Sequence, residues 1–567
     1  MTRARRPRLV LIDPGLEPTT PGAGSSHAAR YVLPLLAAAG DRSGVLVGRR
    51  GFRGACPLPV DCLVHDTLLH GTHAKVTAAG ELDRLDDRGR WRWKLEPPWA
   101  AWHRRRRRAE RIAAFADGVL PALAELQPGD VVFVSTASEL EVMGLARAIA
   151  RVAPPRGIGW HVQFHTPLER GFAADRPRQA RRLDRIRRLL TTARAVAAPH
   201  PLQLHATTPE LATEYRRLDA GGCDVLPYPI SVGVGPLPAR TASGPLRLAA
   251  LGDARPEKNT HRLLEVVEAV QGDPLLAGAV HFVVQRNLGF PPDSTAAEHE
   301  SVRRCLAGLA RRQGVDLLDG PLAEDSYAHH LATADVALLP YDQGRYRTRL
   351  SAILLETMAA GGVPIVSGGG WMARQLEEPL REHVERVVAA SAGAEPVPLA
   401  ALAAPTIGRA GLPVAITLPV RTVAVLVDID WPIAGDAALA EPPLRVSFAE
   451  AEQASATVVT APTTTGPGRT LFPCPPAATS RPARLLLRPA VGADRVALDR
   501  VCVRGLTGAA APPAGAGGVV VDTATDLPAA IAEVVRHADH YRRTARAAAE
   551  IVRRFHSPAA VVARLTP

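Results

Sequence analysis

No run of about 18 apolar residues occurs in the 567-residue chain, which excludes a hydrophobic membrane-spanning helix. The basic start MTRARRPRLVLID leads straight into a short strand, without an apolar leader segment or a cleavage site, so no signal peptide is expected. Cysteine is scarce. Six residues (Cys56, Cys62, Cys223, Cys305, Cys474, Cys502) are scattered with no CxxC pair, which predicts free thiols in a cytoplasmic protein. No His/Cys/carboxylate cluster has metal-ligand spacing, so no metal is expected. Aromatic residues make up only 4% of the chain. No helix-turn-helix, zinc-finger or RNP-type aromatic pattern appears, so no nucleic-acid partner is expected.

What is present is a chain too long for one core, with 47% apolar residues, in keeping with several α/β domains. Its charge is lopsided. Residues 1–230 carry 35 of the 68 basic and 23 of the 56 acidic residues, leaving 33 of each for the remainder. The whole net charge of +12 therefore lies on the first part, which an anionic partner such as a lipid headgroup or phosphorylated carrier would meet first.

Along the chain, strand-like runs alternate with helical ones: LVLID (Leu9–Asp13), GVLVGRR (Gly44–Arg50), DVVFVS (Asp130–Ser135), GIGWHVQF (Gly157–Phe164) and LQLHATT (Leu202–Thr208). Thr208 and Pro209 read as the N-cap and first position of the helix PELATEYRRL. CDVLPYPI closes the series, and the Pro/Gly-rich stretch Ser231–Gly244 reads as a linker. A second βα series starts at LRLAALGD (Leu246–Asp253), continues through AVHFVVQ and VDLLDG, and reaches DVALLP (Asp335–Pro340). Alternation of this kind predicts doubly wound parallel sheets. From Ala390 to Gly517 the chain is Pro/Ala/Thr-rich with short apolar runs, which predicts an inserted β-sandwich. The βα style resumes at GVVVD (Gly518–Asp522). The expected units are thus residues 1–230, 245–389, 390–517 and 518–567.

The segment Tyr341–Ser367, YDQGRYRTRLSAILLETMAAGGVPIVS, carries most of the chemistry. A loop with Arg345, Arg347 and Arg349 leads from one apolar strand into a helix opening near Ser351. The free N–H groups and dipole of a helix start suit an anion, and arginines add donors matched to phosphate oxygens. Glu356, inside the helix, is placed to accept from ribose-like hydroxyls; the plainer alternative is a surface glutamate. Together these residues outline a nucleotide-diphosphate site.

Two such halves joined by a linker resemble the GT-B fold of glycosyltransferases. The second half is similar to the retaining glycogen-synthase- and mannosyltransferase-like enzymes of glycosyltransferase family 4. LGDARPEKN (Leu251–Asn259) resembles the family's glycine loop ending in EKG, and LLETMAAGGVPIV its E-x7-E segment and following strand. GVVVDTATDLPAAIAEVV resembles its late strand and helix, and FHSPAAVVARL the tail that leans back on the first domain. The resemblance covers about three quarters of the chain. It implies that Lys258, with Asn259 beside it, faces the leaving nucleotide diphosphate, and that Glu356 holds the ribose. Two departures stand out. Thr348 occupies the first acidic position of E-x7-E, and Asp253 stands where the family has a diphosphate-binding arginine. Arg347 and Arg349 are the expected replacements.

His165 lies just past a strand end, where the family has a histidine near the donor sugar; a structural histidine is the alternative. His161 is expected inside the strand. Gly22, Gly24 and His27 resemble the glycine loop facing donor and acceptor, although any tight βα turn favours glycine. Asp428-Ile429-Asp430 looks like a metal-binding DxD but falls in the β-rich region and is rejected as a metal site. Trp99 and Trp102 beside Arg104–Arg108, and a second basic run Arg176–Leu190, suit a membrane interface or a solvated helix face. The insert has either a carbohydrate-binding or a spacer role.

The expectation is a cytoplasmic glycosyltransferase, peripheral on the inner face of the membrane or free. It moves a hexosyl group with retention from a nucleotide sugar to a sugar or lipid-linked hydroxyl, without a metal cofactor. The alternatives are a catalytically inactive scaffold or sugar-binding protein, and a nucleotide-sugar epimerase.

Overall fold

The computed structural model describes residues 5–16, 28–52, 62–69, 98–168, 176–218, 221–230, 244–290, 294–368, 370–376, eight strands between 397 and 507, 517–521 and 524–566. Seven strands form the first sheet. They are β1 (Arg8–Ile12), β2 (Ser43–Arg49), β3 (Leu63–Leu68), β4 (Val131–Ala137), β5 (Gly159–Phe164), β6 (Leu202–Ala206) and β7 (Asp224–Val225). All pairs are parallel, in the order β3-β2-β1-β4-β5-β6-β7. The second parallel sheet contains β8 (Leu246–Ala250), β9 (Asp253–Ala254), β10 (Val280–Leu288), β11 (Val315–Asp319), β12 (Val336–Leu339), β13 (Val363–Ser367) and, much later, β22 (Val519–Val521). Its order is β11-β10-β8-β12-β13-β22, with β9 beside β10. Each sheet therefore starts in its middle, winds outward, and reverses past its first strand, as in dinucleotide-binding folds. The expected α/β class with two Rossmann-like sheets is the observed one.

The sequence dictates this through continuous apolar strands. All seven residues of β4 are buried, as required of a strand covered by helices on both faces. In β1, Leu9 and Leu11 join the core with Tyr31, Leu35 and Phe52, whereas Val10 and Ile12 join the opposite core with Val132, Leu145 and Trp160. The two-residue period of a strand separates the faces. Helix starts are fixed locally. Ser138 and Glu141 form a capping box for the Glu139–Val152 helix, and the Thr208 side chain accepts from the Leu211 N–H above Pro209.

Between β13 and β22 lie β14 (Val397–Pro398), β15 (Val414–Leu418), β16 (Thr422–Ile429), β17 (Leu444–Glu450), β18 (Ala456–Thr460), β19 (Gly468–Pro473), β20 (Ala483–Pro489) and β21 (Val501–Thr507). They form two antiparallel sheets, β14-β21-β16-β19 and β15-β20-β17-β18. Val425 from one and Leu485 from the other are fully buried. Asp428 lies within β16, paired with Arg469 on β19 and Cys502 on β21; Asp430 lies outside the described residues. β3 and the short Gln343–Tyr346 helix are elements that the sequence pattern did not announce. The expected strand CDVLPYPI shrinks to the two residues of β7, because its two prolines cannot donate to a ladder.

The chain finishes on the first lobe. After the helices Leu527–Arg536 and Ala538–Phe555, the Pro558–Leu565 helix buries Val561, Val562 and Leu565 against Leu9, Leu11, Tyr31 and Leu36. The Ile230 N–H donates to His556 O at 2.8 Å, and His556 Nδ1 lies 2.8 Å from Tyr228 O. Nearby, His161 of β5 stacks on His205 of β6, with Nδ1 3.0 Å from Nε2.

Burial pushes His161, His205 and His556 down to about 4, helped at His161 by the adjacent His205. Each is depressed below the ordinary histidine value of about 6.5, so the unfolded chain binds more protons in between. Their contribution to stability is complete above about pH 6.5 and is lost as pH falls toward 4. Thermal unfolding followed between pH 7.5 and 4.5 should show Tm falling on acidification, with a shallower fall in the His161→Gln/His205→Gln variant. An equal slope in the two proteins would contradict this.

Candidate functional site

In the second sheet, β8 and β12 are neighbours, and the chain leaves them toward β10 and β13 on opposite sides. The helix after β8 (Leu263–Gly272) packs in the core containing Leu248; the helix after β12 (Ala352–Ala359) packs in the core containing Leu339 and Val366. A crevice must open where the two connections part, beyond the strands' C-terminal ends.

Gly252, just past β8, has φ +89°. A Cβ there would fall 2.6 Å from Ile353 Cδ1 and 2.8 Å from Lys258 Nζ. Only glycine lets the lysine ammonium and the first turn of the Ala352–Ala359 helix close on the strand end together. Lys258 Nζ therefore lies beside the end of β8, next to a helix start. Burial, then the neighbouring Arg255, lower its pKa to about 8, against the pull of Asp253 and Glu257. Its Nζ lies 5.4 Å from the centre of the Tyr341 ring. Among the described residues no carboxylate lies within ion-pair distance of its ammonium, and Asp253 and Glu257 act on it from farther off.

Ser351 is the N-cap of that helix, and its Oγ accepts from the Leu354 N–H at 3.3 Å. The N–H groups of Ala352 and Ile353 have no acceptor within the helix. Tyr341 packs on Tyr346 with ring centres 4.5 Å apart, and the Arg349 guanidinium lies 5.6 Å from the Tyr346 ring. Lys258 and Arg349 thus cover opposite ends of one aromatic pair. Asn259 has φ +55°, and its Nδ2 donates to Pro340 O at 2.7 Å. Its amide ties the lysine turn to the end of β12.

Three further positions have defined partners. The Arg347 carbonyl accepts from Trp371 N at 3.1 Å. Thr348 is buried, and its carbonyl accepts from Thr208 Oγ1 at 2.9 Å, so the position of the missing acid is a contact between lobes. A cation stands beside Asp253, the residue at the family's arginine position. Arg255, two residues on, bonds Asp253 and lies 3.7 Å from the buried Glu257. Asp253 in turn accepts from Asn287 Nδ2 at 2.7 Å.

Glu356 is 5% exposed on a helix whose other buried members, apart from Thr357, are apolar. Its Oε2 accepts from Tyr327 Oη at 2.5 Å, and its Oε1 lies 3.6 Å from Arg30 Nη1 on the first lobe. The expected surface alternative is therefore ruled out. Burial raises its pKa, while Arg30 and Tyr327 work against the rise.

The first lobe presents His165 at the end of β5, with Nε2 2.6 Å from Ser135 O. Its ring meets those of Tyr31 and Tyr228 edge-on at 5.8 and 6.0 Å. Tyr31 Oη donates to Gln163 Oε1 at 2.5 Å, and Ser135 Oγ to Asp13 Oδ2 at 2.6 Å. Burial, and next the charge of Glu356, push the Tyr228 hydroxyl well up, which shows the two lobes' polar residues to be electrostatic neighbours. Gly22, Gly24 and His27 lie outside the described residues. Among the described residues, no group of three His, Cys, Asp or Glu could hold a metal ion, and no helix is long and apolar enough to cross a membrane. Arg30, Tyr327, Arg255 and Tyr341 were missed from sequence; a lone tyrosine or arginine at a helix start carries no local signal.

No protein-family model matches the chain, and no curated protein matches it. Among solved structures it is similar to the trehalose-6-phosphate synthase OtsA, with TM-score 0.43 and 16% identity over 65% of this chain and 86% of that one. It is also similar to a sucrose-phosphate synthase from Thermosynechococcus elongatus (0.43, 15%, 68% and 91%). A third likeness is to HepE from Anabaena in complex with UDP-glucose (0.38, 11%, 65% and 82%).

A lysine held near pH 8 is cationic below that value and neutral above it. Diphosphate affinity, measured by calorimetry with inorganic pyrophosphate between pH 6.5 and 9.5, should weaken as pH rises through about 8. In Lys258→Arg, which stays charged, that step should vanish. A step that survives in the arginine variant would exclude Lys258 as its source.

Proposed function

We propose that the chain is a GT-B glycosyltransferase that moves a hexosyl group from a nucleotide sugar to a hydroxyl, with retention of configuration. The observation carrying this reading is the convergence, at the strand-order reversal beside β8, of Lys258 Nζ, the first turn of the Ala352–Ala359 helix and buried Glu356, facing the polar end of a second α/β lobe. A cation beside a helix start suits a diphosphate. A buried carboxylate one turn deeper suits ribose hydroxyls. Charge that builds on the leaving diphosphate in the transition state would be met by Lys258, with Arg349 and Arg347 alongside. In this reading no metal is required and His165 faces the transferred sugar from the first lobe. Lobe closure excludes water that would otherwise hydrolyse the donor.

The same reading divides the chain into an acceptor-side domain (1–230) and a nucleotide-sugar domain (245–389 with 518–567) interrupted by a β-sandwich (390–517). The sugar or lipid-linked acceptor meets the basic first domain. On the Pro98–Leu123 helix, Trp102 is 53% exposed, with the Arg106 guanidinium 5.4 Å from its ring. An apolar ring among cations suits the surface of an anionic membrane. One observation favours a second reading, an inactive sugar-nucleotide binder: Thr348, in place of the family's first acid, spends its carbonyl on Thr208.

A thermal-shift panel of nucleoside diphosphates should raise Tm for at least one base, since a ligand of the folded state stabilises it by mass action. Glu356→Ala should lower transfer from the matching nucleotide sugar by about 10- to 100-fold, the worth of a hydrogen bond to a charged group. Binding without transfer supports the inactive binder. Neither a shift nor transfer would sink the proposal.

A further inference from the structure

We propose that Arg30, a first-lobe residue, is a positioning residue of the nucleotide site: it fastens the closed cleft and keeps Glu356 anionic for the ribose hydroxyls. The inference rests on the nucleotide reading above and adds a coupling to it.

The Arg30 side chain reaches across to the other lobe. Its Nε donates to Glu324 Oε1 at 2.7 Å, its Nη1 lies 3.6 Å from Glu356 Oε1, and its guanidinium carbon stands 3.7 Å from the centre of the Tyr327 ring. Glu324 and Tyr327 belong to the Glu324–Thr333 helix, and Tyr327 passes the contact on to Glu356 Oε2. The chain positions joined are some three hundred residues apart, so the cluster exists only when the lobes are together. Two further cross-lobe links run beside it, Arg374 to Glu210 at 3.0 Å and Thr208 to Thr348 at 2.9 Å. Neither touches Glu356.

The electrostatics give the cluster its role. Glu356 sits among Leu354, Leu355 and Met358, each at most 2% exposed. An ionised carboxylate in such surroundings needs a counter-charge. Among the described residues, Arg30 is the one cation within ion-pair distance of it. Opening the cleft withdraws Arg30 and leaves Glu356 buried beside a tyrosine hydroxyl alone, which favours the protonated form. A neutral carboxyl accepts hydrogen bonds from hydroxyls more weakly than a carboxylate does. The 3.6 Å spacing leaves Glu356 Oε1 with lone-pair capacity for a hydroxyl while Arg30 is in place. Closure and hydroxyl recognition are thereby linked, and by thermodynamic reciprocity nucleotide binding favours closure.

The test uses the full-length chain as wild type, Arg30→Ala, Arg30→Lys and Glu324→Gln. Titration calorimetry is run with ADP, GDP and UDP and with the 2′,3′-dideoxy form of each; small-angle scattering gives the radius of gyration without ligand. For the base that binds wild type, Arg30→Ala should weaken the ribose form about tenfold, leave the dideoxy form within twofold, and enlarge the radius of gyration. Arg30→Lys should recover part of both effects. Glu324→Gln, which loosens Arg30 and leaves Glu356 intact, should move both in the direction of Arg30→Ala and serves as the second variant if that one folds poorly. Equal weakening of ribose and dideoxy forms, or no change in either readout, overturns the inference and leaves the nucleotide site standing. If wild type binds none of the six, the nucleotide reading falls and the positioning role falls with it.

Discussion

Two parallel strands that lie side by side but send their chains to opposite faces of a sheet cannot cover the gap above their own ends. At β8 and β12 the chain fills that gap with a cation and a helix start, and the rest of the site follows from the choice. Gly252 gives up its side chain so that Lys258 and Ile353 can meet. Asn259 takes a left-handed backbone and hooks Pro340 O, which fixes the lysine turn to the partner strand. Ser351 caps the helix from its own side chain, so that the remaining first-turn donors stay available to a ligand. Tyr341 and Tyr346 form the floor between Lys258 and Arg349. None of these groups would be in place if the strand order did not reverse there.

Burial works on this site in two opposite ways. It lowers the lysine pKa, since desolvation disfavours the cation, and it raises that of Glu356, since desolvation disfavours the anion. Each group is partly rescued by charges of the other sign, Asp253 and Glu257 for the lysine and Arg30 for the glutamate. The rescue of Lys258 comes from its own lobe and is permanent. That of Glu356 comes from across the cleft and depends on closure. The tail helix, seated on the first lobe through Val561, Val562 and Leu565, gives the lobes a second, permanent tether.

Much of this was legible in the sequence, and for identifiable reasons. Runs such as LVLI and VVFV are apolar throughout because their strands are covered twice, and continuous burial is easy to read. Thr208-Pro209 and Ser351 announced helix starts because capping is local chemistry. Lys258 and Glu356 were singled out by the resemblance of their segments, and the structure places both around the ends of β8 and β12. What could not be read was whatever depends on distant pairing. Arg30 is one arginine among many until Glu324 and Tyr327 arrive from the other lobe. That Arg255 folds back onto Asp253 is likewise invisible to a linear count. The Asn259 amide is bonded to the Pro340 carbonyl, 81 residues on, a pairing no local pattern announces. β3 escaped because LVHDTL mixes polar residues into a short edge strand.

The most direct trial of the account is to locate a bound diphosphate. In a crystal structure with a nucleoside diphosphate, the account predicts phosphate oxygens about 3 Å from Lys258 Nζ and from the N–H groups of Ala352 or Ile353, with the ribose toward Glu356. A diphosphate bound elsewhere, with Lys258 facing solvent and the crevice beside β8 closed, would contradict it.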